Sequence, residues 1–374
     1  MKLLRYLLLF LLIWALPTFI QKVYGDTLGS FFSYFMFVLL IIYYFISKKR
    51  SLSIPFLILG LLYFSISGLI NVTDTQVLII DIIKYFIMII CGAELMRDST
   101  DKDMFIILTL GAITVFINAL YFQEVSGGRY GGIFLNPNGA GFICILGYSL
   151  GYGIENKYLR ILGQFIFIFA GILTLSRTFI LLWVIISIAA IFINRKNLLT
   201  IGVGIGAFLV ILSISQILKL DTVRFTALEN LLESKVDTHT ISEDSRNETW
   251  SLYTDVILDN IFFGNGYKSM QGMEADTVGI KVGVHNTYLM ILGESGIIPF
   301  LLLVLILIKL FINSIIKHFK ENPHYCFLAF VLIMFLLTSH NFFDNYAMLT
   351  ISIWLYTRIH DTHDTSDIST INSQ

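Results

Sequence analysis

Residues 178–217 read TFILLWVIISIAAIFINRKNLLTIGVGIGAFLVILSISQI. Two apolar runs, 178–193 and 198–217, are separated by a short basic turn at Arg195 and Lys196. A helix that crosses a bilayer needs about 20 apolar residues, and both runs approach that length. Directly after them the chain becomes hydrophilic for 69 residues, 218–286, until an apolar run reopens at Thr287. Working outward, further runs at 3–20, 29–46, 54–70, 77–96, 104–122, 136–153, 159–175, 287–311, 325–340 and 343–358 bring the candidates to twelve. The expected fold is therefore all-α: a polytopic integral membrane protein of about 12 transmembrane helices. Helices 1–9 fall in residues 1–217 and helices 10–12 in 287–359, with one large loop at 218–286 between helices 9 and 10. The Thr-, Ser- and Asp-rich end, 360–374, reads as a disordered tail.

Composition agrees. Of 374 residues, 56% are hydrophobic and 14% charged, with a mean hydropathy of +0.79. A soluble domain cannot hide that much apolar surface, so lipid must be the solvent. A net charge of -1 argues against a nucleic-acid partner. Cys91, Cys144 and Cys326 lie scattered inside apolar runs and form neither a disulfide framework nor a metal-ligand spacing. The first run could pass for a signal peptide, but it lacks a small-x-small cleavage site and is kept as a span.

Loop charge sets the orientation. Lys2/Arg5, Lys48/Lys49/Arg50, Arg97/Lys102, Lys157/Arg160, Arg195/Lys196, Lys317/Lys320 and Arg358 fall at the two termini and in every alternate loop, fourteen basic residues in all. The opposite short loops hold Lys22, Arg129 and Arg177. By the positive-inside rule both termini are cytoplasmic and the 218–286 loop is extracytoplasmic. Within it, Ser245-Arg246-Asn247-Glu248 has capping-box form. Trp250, Tyr253, Ile257 and Ile261 follow at helical spacing, and Gly264-Asn265-Gly266 reads as a C-cap. An amphipathic helix is expected near 245–263, lying against the membrane domain or its surface.

Several polar residues gather on the outer side. Arg129 stands in Gly127-Gly128-Arg129-Tyr130-Gly131-Gly132, just before Asn136-Pro137-Asn138. Glycines admit a ligand close to the backbone, and Asn-Pro-Asn opens a helix. An arginine beside a helix N-terminus suits an anion, although a plain external turn with one solvated arginine is the competing reading. Arg177 lies between two spans with almost no loop, so it must snorkel to headgroups or pair with an anion. Arg246 falls in a first helical turn, where a bound anion would offset the macrodipole; it reads equally well as a surface residue. His285, at the junction of loop and span, could take a proton from a hydroxyl, though a lone histidine there is more often structural. Asn286 either caps the next helix or holds a sugar hydroxyl. Glu294, deeper in the same run, reads first as a structural carboxylate bonded to a neighbouring span. Asp81 and Lys84, spaced i,i+3, are expected to neutralise each other. His340, Asn341 and Asp344 form a second outer polar cluster. Asp101-Lys102-Asp103 falls on the cytoplasmic side and reads as a solvated turn, so neither a metal nor a cofactor is expected.

Four pieces of this pattern resemble, in order, the O-antigen ligase and Wzy-type polysaccharide polymerase superfamily. They are residues 128–138 (GRYGGIFLNPN), Leu173-Thr174-Leu175-Ser176-Arg177, Arg246-Asn247-x-x-Trp250 with Gly264-Asn265-Gly266, and His285-Asn286-x-x-Leu289 with Glu294-x-Gly296. The resemblance covers about 125–300. It implies a metal-independent glycosyltransferase of the bacterial cytoplasmic membrane, with its active site on the outer face. The donor would be an oligosaccharide linked to undecaprenyl diphosphate. His285 would be the catalytic base, and Arg129, Asn138, Arg177, Arg246 and Asn286 would bind substrate. A polymerase would use another lipid-linked repeat unit as acceptor and a ligase lipid A–core. The expectation here is a polymerase of O-antigen, capsule or exopolysaccharide, with chain-length regulator and flippase proteins as companions. A polysaccharide transporter is the competing class, but it should show internal symmetry and charges at the midplane.

Overall fold

The computed structural model describes residues 1–72, 74–123, 127–214, 246–272, 280, 282–319, 321–339 and 342–360. Within them the chain is helical: α1 Lys2–Ile13, α2 Leu16–Tyr24, α3 Asp26–Ile46, α4 Ile54–Ile70, α5 Thr75–Asp98, α6 Asp101–Tyr121, α7 Pro137–Gly151, α8 Lys157–Leu173, α9 Arg177–Ile193, α10 Leu198–Ile214, α11 Arg246–Asp259, α12 Thr287–Ser295, α13 Ile297–His318, α14 Pro323–Leu336 and α15 Tyr346–His360. Among the described residues β-pairing amounts to one isolated bridge, Val72 with Tyr267.

The apolar runs became helices, but not twelve straight spans. By length and composition α3, α5, α6 and α13 can each cross a membrane, and α1 with α2 makes a fifth if its 59° bend counts as one span. Helices α4, α9 and α14 are apolar but shorter. Two expected spans are broken. The run 3–20 breaks at Ala15, whose φ of 47° is left-handed. Pro17 is the reason: it has no N–H for the Ile13 carbonyl, and its ring collides with that carbonyl. The run 287–311 breaks at Gly296, with φ 79°, and Pro299 denies an N–H to Ser295 in the same way.

The basic end of the bundle is stitched by ion pairs. Arg5 meets Asp103 at 3.1 Å, Arg50 meets Asp98 at 3.2 Å, Arg97 meets Glu94 at 2.9 Å and Arg358 meets Asp101 at 3.8 Å. The N-terminus, the 47–53 loop, the α5–α6 turn and the end of α15 therefore lie together, as the alternating loop charge requires. Both carboxylates of Asp101-Lys102-Asp103 have structural partners. Asp103 closes a capping box with Thr100, and Asp101 takes His324 at 3.0 Å and the Tyr325 hydroxyl.

Asp81 does not take Lys84. Its Oδ2 accepts from Lys268 Nζ at 2.9 Å and from the Tyr267 hydroxyl at 2.6 Å, while Lys84 lies over the Tyr34 ring at 5.9 Å. The partners come from within the long loop, toward its C-terminal end.

The loop helix ends earlier than the sequence suggests. It stops at Asp259, and Gly264 then donates to Asn260 O at 2.7 Å to close the following turn. Its stripe is real: Tyr253 and Ile257 are buried and Trp250 and Ile261 partly so. Ser245, the side chain of Arg246, the stretches 215–245 and 273–279, His340, Asn341 and the tail 361–374 lie outside the described residues.

A small residue sets the helix spacing at the α8–α9 turn. A Cβ on Gly171 of α8 would stand 2.0 Å from Phe179 Cζ of α9, and Phe179 is buried. Gly171→Ala should cost about 1–3 kcal/mol through overpacking. The check is thermal unfolding in detergent, where an unchanged midpoint would contradict the packing described.

Candidate functional site

The 127–136 loop is laid onto α6. Gly132, at φ +56°, donates to Asn118 Oδ1 at 3.1 Å, and Ile133 N donates to Thr114 Oγ1 at 3.1 Å. A Cβ on Gly132 would meet Thr114 Oγ1 at 2.5 Å, so no other residue fits there. Tyr130 N reaches Leu173 O at 3.2 Å, tying the loop to the end of α8 as well. Burial raises the Tyr130 phenol pKa, so it stays protonated.

This lattice aims Arg129. Its Nη2 donates to Asn138 Oδ1 at 3.2 Å and its Nε to Thr174 O at 3.4 Å. Asn136 caps α7 by accepting from Asn138 N at 2.8 Å, with Pro137 as the first helical residue, as the Asn-Pro-Asn pattern requires. Thr174 lies three residues before Arg177, so both arginines belong to one small region. Arg177 is the first residue of α9 and is exposed. Ser176 caps that helix through Phe179 N at 3.4 Å. The start of α9 thus offers a side-chain cation and a positive helix end together.

His285 comes from the other side. Its φ of 47° is left-handed, and it is exposed. The segment before it is clamped from two directions. Trp250 Nε1 donates to Val284 O at 3.0 Å and the Tyr253 hydroxyl to Val282 O at 2.7 Å, so the aromatic stripe of α11 grips it. Val284 N donates to Met270 O at 3.0 Å, on the 264–272 turn. After His285, Asn286 is buried and caps α12 through Tyr288 N at 3.0 Å and Leu289 N at 3.2 Å. Of its two possible roles, the described bonds are those of a cap.

The 264–272 turn is itself locked into the membrane domain. Asn265 N donates to Gly293 O at 2.7 Å, Gly266 N to Glu294 O at 3.1 Å, and Tyr267 N to Ser67 O at 3.1 Å. Glu294 is fully buried; its carboxylate accepts from Met270 N at 3.2 Å and from the Tyr63 hydroxyl of α4. That is the structural reading of this carboxylate, a bond to a neighbouring helix. Burial, with the Asp81 carboxylate beside it, drives the Tyr267 phenol pKa well up, so it remains a donor. Glu294 therefore holds Met270, Met270 holds Val284, and Val284 precedes His285.

A cavity of about 390 Å³ joins the two sides. Asn136, Asn138, His285, Asp344 and Asn345 supply polar wall, and Ile13, Phe142 and Phe335 supply apolar wall. Ala15 and Thr18 also line it, so the break between α1 and α2 is part of its rim. Arg129 reaches the cavity through Asn138, whereas Arg177 lies outside the wall. Polar and apolar walls together suit an amphiphile. The imidazole can exchange a proton with a bound hydroxyl, and the amides and the carboxylate can hold others.

Of the residues named from sequence, His285, Asn138 and Asp344 line the cavity, Arg129 stands behind Asn138, and Arg177 and Asn286 are outside the wall. Sequence reasoning missed Asn345, the rim at Ala15 and Thr18, and the wedge at Tyr267 and Lys268. Pro17 was the available signal for the rim. Tyr267 and Lys268 carried none, because their partners are remote in sequence.

Among known families, the model described as O-antigen ligase matches residues 162–304. The match runs from α8 to the first part of α13 and includes Arg177, His285 and Glu294, while Arg129, Asn138 and Asp344 fall outside it. No curated protein matches the chain significantly.

Gly264 offers a test of the clamp. Its φ is +79°, and a Cβ would stand 2.4 Å from the Glu294 carbonyl carbon. Gly264→Ala should undock the turn and raise amide exchange at Val284 by about tenfold or more, the equivalent of about 1.4 kcal/mol. Unchanged protection at Val284 would show that the turn does not hold the His285 segment.

Proposed function

We propose that this chain, whose residues 162–304 match the family described as O-antigen ligase, is a polysaccharide polymerase acting on undecaprenyl-diphosphate-linked repeat units. Members of the family are glycosyltransferase-like enzymes. The observation that carries the reading is the cavity that His285 and Asn138 both line, from its two sides, with Arg129 bonded to Asn138.

The chemistry follows from those positions. A hydroxyl of the acceptor sugar, held in the cavity, attacks the anomeric carbon of the donor glycan. His285 takes the hydroxyl proton as the new C–O bond forms. The bond from the anomeric carbon to the diphosphate oxygen breaks, and the electron pair leaves with undecaprenyl diphosphate. Arg129 and Arg177 neutralise the charge gathered on that leaving group, a task guanidinium groups perform in fork geometry. Arg246 opens α11 and is the third cation proposed for the diphosphate. Asn138 orients the bound sugar, and the apolar wall at Ile13, Phe142 and Phe335 receives the first prenyl units. No step calls for a metal ion. The active site faces outward in the bacterial cytoplasmic membrane, with both termini cytoplasmic, in keeping with the alternating loop charge.

A ligase reading, with lipid A–core as acceptor, is favoured by the match to the O-antigen ligase family. The transporter reading requires charged groups committed to a translocation path. Asp81 and Glu294 are instead bonded to Lys268, Tyr267, Tyr63 and Met270.

Purified protein given one lipid-linked repeat unit as sole substrate should build a polymer ladder. No turnover until lipid A–core is added would select the ligase. His285→Ala should lower turnover by about 100-fold or more while the protein stays folded. Arg129→Lys, which keeps charge but loses the fork, should lower it by about tenfold or more. Wild-type chain ladders from His285→Ala would remove the proposed base.

A further inference from the structure

The residues just after α11 lie against the ends of membrane helices: a Cβ on Gly266 would meet Asn71 O at 2.5 Å, and Tyr267 bridges Val72, both at the end of α4. A Cβ on Gly264 would stand 2.4 Å from the Glu294 carbonyl carbon, and one on Gly296 would stand 2.1 Å from Phe262 O. The Phe262–Gly264 backbone therefore lies against the junction of α12 and α13. The Glu294 side chain there bonds Tyr63 of α4. Tyr63 is seven residues inward from the end of α4 at Ile70, roughly 10 Å along a helix. Lys268 and Tyr267 reach Asp81, six residues inward from Thr75 at the start of α5, roughly 9 Å. Both are outer ends, because the opposite ends of α4 and α5 carry the Arg50 and Arg97 ion pairs.

At this level two aromatic side chains stand open: Phe262 is 68% and Phe263 66% exposed, and Leu258 of α11 is 60% exposed one turn earlier. Gly296, which the Phe262 carbonyl touches, precedes the exposed stripe Ile298, Leu301 and Leu305 of the spanning helix α13. That stripe repeats at helical spacing and faces acyl chains. Side chains at the head of such a stripe, and level with the end of α4, border the same solvent. The exposed carboxylates Asp255 and Asp259 on α11 set the limit: the boundary between lipid and water crosses its last turn.

We propose that Leu258, Phe262 and Phe263 form an interfacial anchor that seats the C-terminal tip of α11 in the outer leaflet, with lipid acyl chains as its partner. Aromatic residues favour that interface, and an apolar helix end buried there adds transfer free energy in proportion to its area. The anchor has a consequence for the site. Trp250 and Tyr253 of the same helix grip the segment that carries His285, so the anchor fixes the height of that histidine relative to the lipid surface. The inference rests on exposure and depth and does not depend on the reaction catalysed.

The test uses the full chain in vesicles of phosphatidylcholine and phosphatidylglycerol. A nitroxide is attached at Phe263→Cys, with Phe262→Cys as the second variant and Asp255→Cys as the water-side reference; the native cysteines are buried. Oxygen, which partitions into lipid, should relax the labels at 262 and 263 several-fold more than a water-soluble nickel chelate does. At 255 the order should reverse. Chelate collisions at 262 and 263 equal to those at 255 would place the tip in water and overturn the anchor. Labels at both positions shielded from either relaxant would place the tip under protein, and that too would overturn it.

Discussion

A peptide backbone that leaves the helix inside an apolar protein must find partners for every N–H and C=O it frees, because lipid offers none. The half of this protein opposite its ion-paired end is organised by that constraint. At the 127–136 loop the freed donors go to Asn118, Thr114 and Leu173. At the 264–267 turn they go to Gly293, Glu294, Ser67 and Asn71. At Asn286 and Ser176 the side chain supplies the missing acceptor. The loop and the turn are fixed by other parts of the chain, and the two caps are local; Arg129 lies in the loop and His285 directly before the Asn286 cap. The irregular backbone is therefore rigid where chemistry needs it to be.

This explains how one histidine on a loop can be held in a fixed position. A left-handed φ at a non-glycine residue persists only where the surroundings determine it. His285 has α11 on one side, the 264–272 turn on another and the capped start of α12 behind it. The buried Glu294 lies at the root of that arrangement through Met270. The loop helix is accordingly part of the wall that bears the histidine, fastened at its aromatic stripe.

What could be read in advance follows from the range of the forces involved. Apolar runs reveal helices because lipid exposure demands apolar composition over the whole length of a span, and the boundaries of α4 and α9 came out within a residue of expectation. Caps are local too, so Asn136-Pro137 opened α7 as its pattern required. Hydropathy averages over single residues, which is why the break beside Pro17 was passed over although its cause was visible. Ion pairs inside the bundle were not legible. Lys84 was the nearest cation to Asp81 in sequence, yet Lys268 reaches it across 187 positions. Gly264-Asn265-Gly266 carried a local signal that was read as a cap. Its larger role, docking against Glu294 and Asn71, depends on residues far away in the chain.

The central claim is that one cavity, walled by His285 and Asn138 and backed by Arg129, receives the lipid diphosphate. The most direct measurement is a cryo-electron microscopy structure of the protein in nanodiscs with undecaprenyl diphosphate bound. The account predicts diphosphate density touching the Arg129 guanidinium, with the first prenyl units along Ile13, Phe142 and Phe335. Density held instead at the opposite end of the bundle, among Arg5, Arg50, Arg97 and Arg358, would contradict it.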